Sequence, residues 1–206
     1  MNAVKTGAKI PVMPRFDYNK MLQNIAKYKA TTVMLVPPIV VMLTKDPDVR
    51  AGKHDLSSVV DFGSGAAPLS RETAKELERI WNQQTGKTRY LKNGWGMTEG
   101  TCSLIVVDPT NPNPPQGVGE PGPNVCVKFM NDDGTAEVKV SEPGELWVKA
   151  PNVMMGYWKN KEATDETLTK DGWLKTGDIA QYIDGFVHIV DRRKVAGSSL
   201  FAVSSS

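Results

Sequence analysis

Apolar residues recur at helical spacing through roughly the first half of the chain and give way to short strand-like runs in the second. Asp17 to Lys29 sets Met21, Leu22, Ile25 and Tyr28 on one helical face, with Asp17 as the cap, and the run Thr31 to Val36 follows as a buried strand. Pro37 and Pro38 end that strand, and Ile39 to Thr44 is apolar enough for a short packed helix just past them. Ser57 to Phe62 reads as a second strand that opens into the turn Gly63-Ser64-Gly65-Ala66-Ala67-Pro68. Ser70 then caps a helix over Arg71 to Gln84, whose Ala74, Leu77, Ile80 and Trp81 form a single apolar stripe. Strand, glycine turn and helix in this order define an α/β unit.

Thr88 to Lys92 and Ser103 to Val107 are further short strands, with Asn93-Gly94-Trp95-Gly96 closing the first. From Asp108 to Asn124 the chain is rich in proline and glycine, the composition of a long irregular connection. Beyond it, Val125 to Met130, Thr135 to Val140 and Glu145 to Lys149 are strands of a β-meander, separated by Asp133-Gly134 and Pro143-Gly144. Lys159 to Thr169 reads as a short polar helix, and Ile179 to Ile183 with Phe186 to Asp191 as a hairpin about Asp184-Gly185. The expected organisation is an α/β part over 1–108, a connection over 109–124, a β-rich subdomain over 125–194 and a serine-rich disordered tail over 195–206. No internal repeat is present.

Composition narrows the classes without choosing among enzymes. With 206 residues, 40% hydrophobic and 23% charged, and a mean hydropathy of −0.34, the chain reads as ordinary globular protein. A net charge of +2 is too small for the broad basic footprint of a nucleic-acid binder, and leaves room for a small anionic ligand. Two cysteines, Cys102 and Cys126, cannot form a disulfide framework; with His54 and His188 they lack the spacing of a zinc site, so a reducing cytoplasm is expected. The longest apolar runs fall short of a membrane span, and residues 1–15 do not read as a secretory signal.

Two glycine turns are candidates for chemistry. Gly65, Ala66 and Ala67 follow a strand and precede a helix, so backbone N–H groups can approach a ligand there; a plain tight turn is the alternative. The turn is not a dinucleotide fingerprint, because Pro68 stands where the third glycine belongs. Gly86-Lys87-Thr88 is no phosphate loop, since Trp81 replaces its first glycine, and Ser64 is no nucleophile elbow, since Phe62 precedes it where glycine is required. The second turn, Gly94-Trp95-Gly96-Met97-Thr98-Glu99-Gly100, carries a base-stacking surface in Trp95, a phosphate donor in the Thr98 hydroxyl and a hard Mg²⁺ ligand in Glu99. A core tryptophan with a solvated glutamate is the competing reading. Asp178, just before a strand, is placed to accept ribose hydroxyls or to serve as an ordinary turn residue.

The segments GSGAAPLS, GWGMTEG, GELWVKAPNVMMGYW, DGWLKTGD and GFVHIVDRRK occur in the order found in the acyl-adenylate-forming superfamily. From about Gly7 to Lys194 the chain resembles the 4-coumarate-CoA ligase and acyl-CoA synthetase branch of that superfamily. The resemblance implies part of a large adenylating domain, an α/β sheet-and-helix layer followed by a β-rich meander. It implies ATP or AMP and Mg²⁺ as cofactors, CoA as co-substrate and an aromatic or fatty carboxylic acid as substrate. Such ligases join the acid to the α-phosphate of ATP, releasing pyrophosphate, and CoA thiolate then displaces AMP. By motif, Gly65, Ala66 and Ala67 would line the adenine and acyl pocket, Trp95 beside Gly96 would stack on adenine, and Thr98 would contact the α-phosphate. Glu99 would hold Mg²⁺, Asp178 and Arg192 would bind the ribose, and Lys194 would mark the hinge to a mobile lid.

Relatives also carry an upstream Ser/Thr/Gly-rich phosphate loop and a C-terminal lid with a lysine that assists adenylation, and neither motif occurs in these 206 residues. Two readings follow: a ligase fragment that keeps much of the adenylate half-site but is inactive alone, or a non-catalytic remnant or interaction module that binds no nucleotide. Self-association through uncovered surface is expected for either. A cytoplasmic location is expected, since Ser204-Ser205-Ser206 is not a peroxisomal address.

Overall fold

The computed structural model describes residues 5–67, 69–108, 111, 117–139 and 141–192. It shows a mixed α/β chain in two compact units, one up to Lys92 and the other from Asn93 onward, and the described residues of the stretch expected as a connection, Asn111 and 117–124, fall inside the second unit. The tail at 195–206, together with Arg193 and Lys194, lies outside the described residues.

In the first unit, helix α1 (Tyr18–Tyr28) begins where Asp17 accepts a hydrogen bond from the backbone N–H of Lys20 at 2.9 Å. It ends at Lys29, which takes the left-handed conformation. Met21, Leu22 and Ile25 are buried as the spacing predicts, whereas Tyr28 is 53% exposed and stands off the core. Strand β1 (Thr32–Leu35) pairs in parallel with β2 (Asp61–Ser64), in the register Thr32 to Asp61 through Leu35 to Ser64. Two expectations fail here. β1 is not buried on both faces, since Met34 is 71% exposed; only Leu35 is fully buried and Val33 is partly covered. The second strand starts at Asp61 rather than Ser57, because Val59 is buried in the turn that leads into it and Val60 points outward.

Both prolines lie within helix α2 (Pro37–Lys45) at its first two positions, where a missing N–H costs nothing, so it starts earlier than expected. A single-turn helix α3 (Pro47–Arg50) follows, capped by the Asp46 side chain. Helix α4 (Arg71–Thr85) is capped by Ser70 through the Thr73 N–H and stopped by Gly86 at φ +64°. Its apolar stripe buries Ala74, Leu77, Ile80 and Trp81 against Phe62, whose ring meets the Trp81 indole edge-on at 4.8 Å between centroids. The Trp81 Nε1–H donates to the Val59 carbonyl at 3.1 Å. Glu78, also buried on α4, is compensated by Arg71 at 2.8 Å and by the Leu91 N–H at 3.0 Å. The strand expected at Thr88 to Lys92 reduces to β3 (Lys92–Asn93), which completes the order β1-β2-β3.

The second unit is built of antiparallel strands. β4 (Trp95–Met97), β5 (Cys102–Val106) and β6 (Glu120–Pro121) form one sheet in that order. β7 (Cys126–Met130), β8 (Gly144–Lys149), β9 (Leu174–Ile183) and β10 (Phe186–Arg192) form the other, in the order β10-β9-β8-β7. The two sheets meet at a bridge between Gly119 and Val187, where the Val187 N–H donates to the Gly119 carbonyl and the Val118 N–H to the Val187 carbonyl, both at 2.8 Å. Their common core holds Leu104, Ile105, Phe129, Leu146, Val148, Leu174, Ala180 and Val187. On the opposite face of the larger sheet, Lys128, Trp147 and Lys175 lie side by side across β7, β8 and β9, each ammonium within 5.4 Å of the Trp147 ring centre. Of the segment expected as a strand at Thr135 to Val140, the described residues contribute one bridge, Met130 to Glu137, flanked by bonds from the Asn131 N–H to the Ala136 carbonyl and from the Val138 N–H to the Phe129 carbonyl, both at 2.9 Å; Val140 lies outside the described residues. Helix α5 (Lys161–Thr167) is shorter than expected and buries none of its residues.

Candidate functional site

Trp95 begins β4 and is held against β5 by a β-bulge between Trp95 and Gly96. Gly96 is required by close approach, since a Cβ at this position would collide with the Cys102 carbonyl. The chain then turns through a 3₁₀ helix, Thr98–Gly100, and through two non-glycine residues at positive φ, Thr101 (+52°) and Cys102 (+86°). That turn is fixed from outside by the segment 152–157. Met154 N–H donates to the Glu99 carbonyl at 2.7 Å, Asn152 Nδ2 to the Gly100 carbonyl at 2.7 Å, and the Thr101 hydroxyl to the Asn152 carbonyl at 2.7 Å. The Tyr157 hydroxyl donates to Glu99 Oε1 at 2.7 Å. Burial first, and then the negative Glu99 carboxylate that accepts its hydrogen bond, push the Tyr157 phenol above its ordinary range.

Asp178 lies within β9, which starts at Leu174, and not just before a strand as expected; it follows Gly177, which sits at φ +71°. Its support comes from below. The buried Thr176 hydroxyl donates to the Leu146 carbonyl at 2.7 Å and accepts from the Asp178 N–H at 3.1 Å, while Gly177 N–H donates to Glu145 Oε1 at 3.2 Å. With a side chain only 16% exposed, Asp178 accepts the Trp95 Nε1–H on Oδ2 at 2.8 Å and has Arg192 Nε 3.7 Å from Oδ1. Arg192 itself is 81% exposed and stands opposite Asp178 in the β9–β10 register. A bulge between Ile189 and Asp191 produces that pairing; an unbroken ladder from Ile189 to Ala180 would have set Asp191, a second carboxylate, across from Asp178.

The expected site residues therefore fall into groups. Trp95, Asp178 and Arg192 are brought into contact from three strands, although 83 residues separate the first two in sequence. Glu99, half-buried, meets Tyr157, while Thr98 beside it is exposed. Gly65 is half-buried and Ala66 and Ala67 are exposed in the first unit, where Ala66 takes φ +71° in a turn that leads away from β2. Lys194 lies outside the described residues. A cleft of about 530 Å³ in the second unit, bordered by Cys126, Lys149, Met154, Leu168 and Thr169, includes none of these residues. Sequence reasoning gave no role to Tyr157, Asn152, Thr176 or Glu145. All four stood inside quoted motifs, but they hold other residues, and only the folded contacts reveal it.

As a donor set, the single half-buried carboxylate of Glu99 does not make a protein-only metal cage; no cluster of three ligating side chains occurs among the described residues. One carboxylate is nevertheless the usual protein share of a Mg²⁺ site that is completed by substrate phosphates and water, and Glu99 fits that role.

A family model described as AMP-binding enzyme matches residues 1–158, and the chain belongs to that family. Within it, the chain is 39% identical over 196 residues to a 4-coumarate-CoA ligase-like protein of Arabidopsis thaliana, covering 93% of this chain and 33% of that protein. Among solved structures, a long-chain-fatty-acid-CoA ligase of Archaeoglobus fulgidus superposes with a TM-score of 0.82 at 28% identity, over 93% of this chain and 40% of that one. An anthranilate CoA ligase solved with anthranoyl-AMP superposes with a TM-score of 0.77 at 25% identity, over 90% of this chain and 34% of that one. The chain thus spans about a third of the length of the curated relatives it matches, and its α/β architecture is that of a part of their adenylating domain.

Proposed function

We propose that the chain is a part of an AMP-forming carboxylic acid–CoA ligase and that its second unit contributes the nucleotide half of the acyl-adenylate site. The observation that carries this reading is the contact of Asp178 with Trp95 and Arg192. It joins a carboxylate able to accept two ribose hydroxyls, an aromatic ring and a cation at one point. In this reading Asp178 and Arg192 hold the ribose, and Trp95, next to Gly96, offers its ring to adenine. The exposed Thr98 hydroxyl donates to the α-phosphate. On the first unit, the backbone of Gly65, Ala66 and Ala67 is proposed as a separate nucleotide contact.

Glu99 would hold Mg²⁺, which when bound stabilises negative charge growing on the phosphate oxygens. The chain's own contribution is position. Thr98 and Glu99 sit on a turn tied down by Asn152, Met154 and Tyr157, so the donor and the carboxylate are set before a ligand arrives and little reorganisation is left for the reaction. The substrate is proposed to be an aromatic or fatty carboxylic acid, with CoA as the acyl acceptor of the whole enzyme. The test is calorimetric titration of the folded 206-residue chain with a non-hydrolysable acyl-adenylate mimic, beside Asp178→Ala. Saturable binding that Asp178→Ala weakens at least tenfold, about 1.4 kcal/mol, is expected. A folded chain that binds nothing would overturn the proposal and leave the reading of a non-catalytic remnant.

A further inference from the structure

Trp95 is assigned to adenine because it is aromatic, yet its observed bond uses a different part of the residue. The indole N–H lies in the ring plane, and it is this edge that reaches Asp178 Oδ2 at 2.8 Å. Phenylalanine would supply the same flat apolar face with no donor. The bond also spans elements whose order along the chain is remote, β4 and β9, and ends on a carboxylate whose other oxygen is the one near Arg192, at 3.7 Å from Nε. The Asp178 backbone is fixed independently, through its N–H to the Thr176 hydroxyl at 3.1 Å. Backbone and one carboxylate oxygen are therefore both tethered. A carboxylate held in this way keeps Oδ1 as the acceptor for an incoming hydroxyl and loses little rotational freedom on binding.

We propose that Trp95 is a positioning residue, whose indole N–H aims Asp178 at the ribose hydroxyls and so makes nucleotide binding depend on those hydroxyls. The inference rests on the adenylate reading above and deepens it. It assigns to Trp95 a task that stacking does not require, and it distinguishes Trp95 from other aromatics at this position by the donor and not by the ring.

The experiment compares AMP with 2′,3′-dideoxy-AMP as ligands for the full chain, in the wild type, Trp95→Phe, Asp178→Asn and the double variant. Trp95→Phe is expected to weaken AMP about tenfold and to leave the dideoxy nucleotide unchanged, and the loss is expected to vanish in the Asp178→Asn background. Equal weakening of both nucleotides would mean that the bond merely ties β4 to β9, and would overturn the inference while leaving the adenylate reading intact. Absence of AMP binding by the folded wild type would overturn both. If Trp95→Phe does not fold, the wild type decides alone. The Trp95 indole ¹H–¹⁵N resonance, assigned by its shift in Asp178→Asn, should stay at its hydrogen-bonded position and remain slow to exchange at saturating AMP. Its release on AMP binding would overturn the proposal.

Discussion

The two units of the chain are ordered by different means. In the first, identity follows from local pattern: Asp17 and Ser70 cap helices, Gly86 ends one, and the residues at helical spacing are the ones that pack around Phe62 and Trp81. In the second, the residues that matter are brought together by strand register, and the register is interrupted by bulges at Trp95/Gly96, Glu145/Trp147 and Ile189/Asp191. Each interruption falls at or beside a residue that forms or supports the Trp95–Asp178–Arg192 contact. The first unit shows what periodic burial achieves, and the second how breaks in periodicity aim polar side chains.

That contrast can be broken by substitution. Trp81→Ala removes a fully buried indole, its edge contact with Phe62 and its bond to the Val59 carbonyl. A loss of about 3–5 kcal/mol is expected in urea unfolding; a loss under about 1 kcal/mol would mean that packing does not organise this unit. Thr176→Val keeps shape but removes the hydroxyl's bonds to the Leu146 carbonyl and from the Asp178 N–H. Unfolding should show about 1–3 kcal/mol of destabilisation, with weaker adenylate binding beside it, whereas unchanged binding would show that Asp178 needs no support from below.

Tyr157→Phe deletes one hydrogen bond to Glu99, worth about 1 kcal/mol. The Mg²⁺ concentration that half-saturates adenylate binding should rise about fivefold while unfolding barely changes; an unmoved Mg²⁺ dependence would separate Tyr157 from the Glu99 site. The smallest effect belongs to the exposed pair Lys29–Asp55, 2.7 Å apart. Lys29 and the Ser57 hydroxyl and N–H hold the Asp55 carboxyl well below the usual carboxylate range. Its contribution is therefore present above the unfolded value near 3.9 and disappears as pH falls toward the lower folded value. For an exposed pair this is under about 1 kcal/mol. Stability of Asp55→Asn should fall less steeply than that of the wild type as pH drops below about 4, and parallel curves would remove the pair from the account.

Much of this was legible in the sequence. Caps, stops and apolar stripes are local, so α1 and α4 appear where spacing places them. β1 was misjudged because an apolar run does not say which face is covered, and Met34 turned out to be exposed. In the site, the motifs pointed to Trp95, Glu99 and Asp178 singly. Their partners could not be read, because a hydrogen bond across 83 residues depends on a ladder register that the sequence does not state. Tyr157 illustrates the same limit: its motif was visible, but its bond to Glu99 spans 58 residues.

The bulge before Asp191 also has a meaning for descent. Val190 is the residue that the bulge absorbs, so losing its single codon would leave an even ladder with Asp191 across from Ile179 and Arg192 still across from Asp178. A lineage could shed that codon and keep the attractive pair, whereas flattening the bulge with Val190 retained would set Asp191 against Asp178 and turn the pair into a repulsive one.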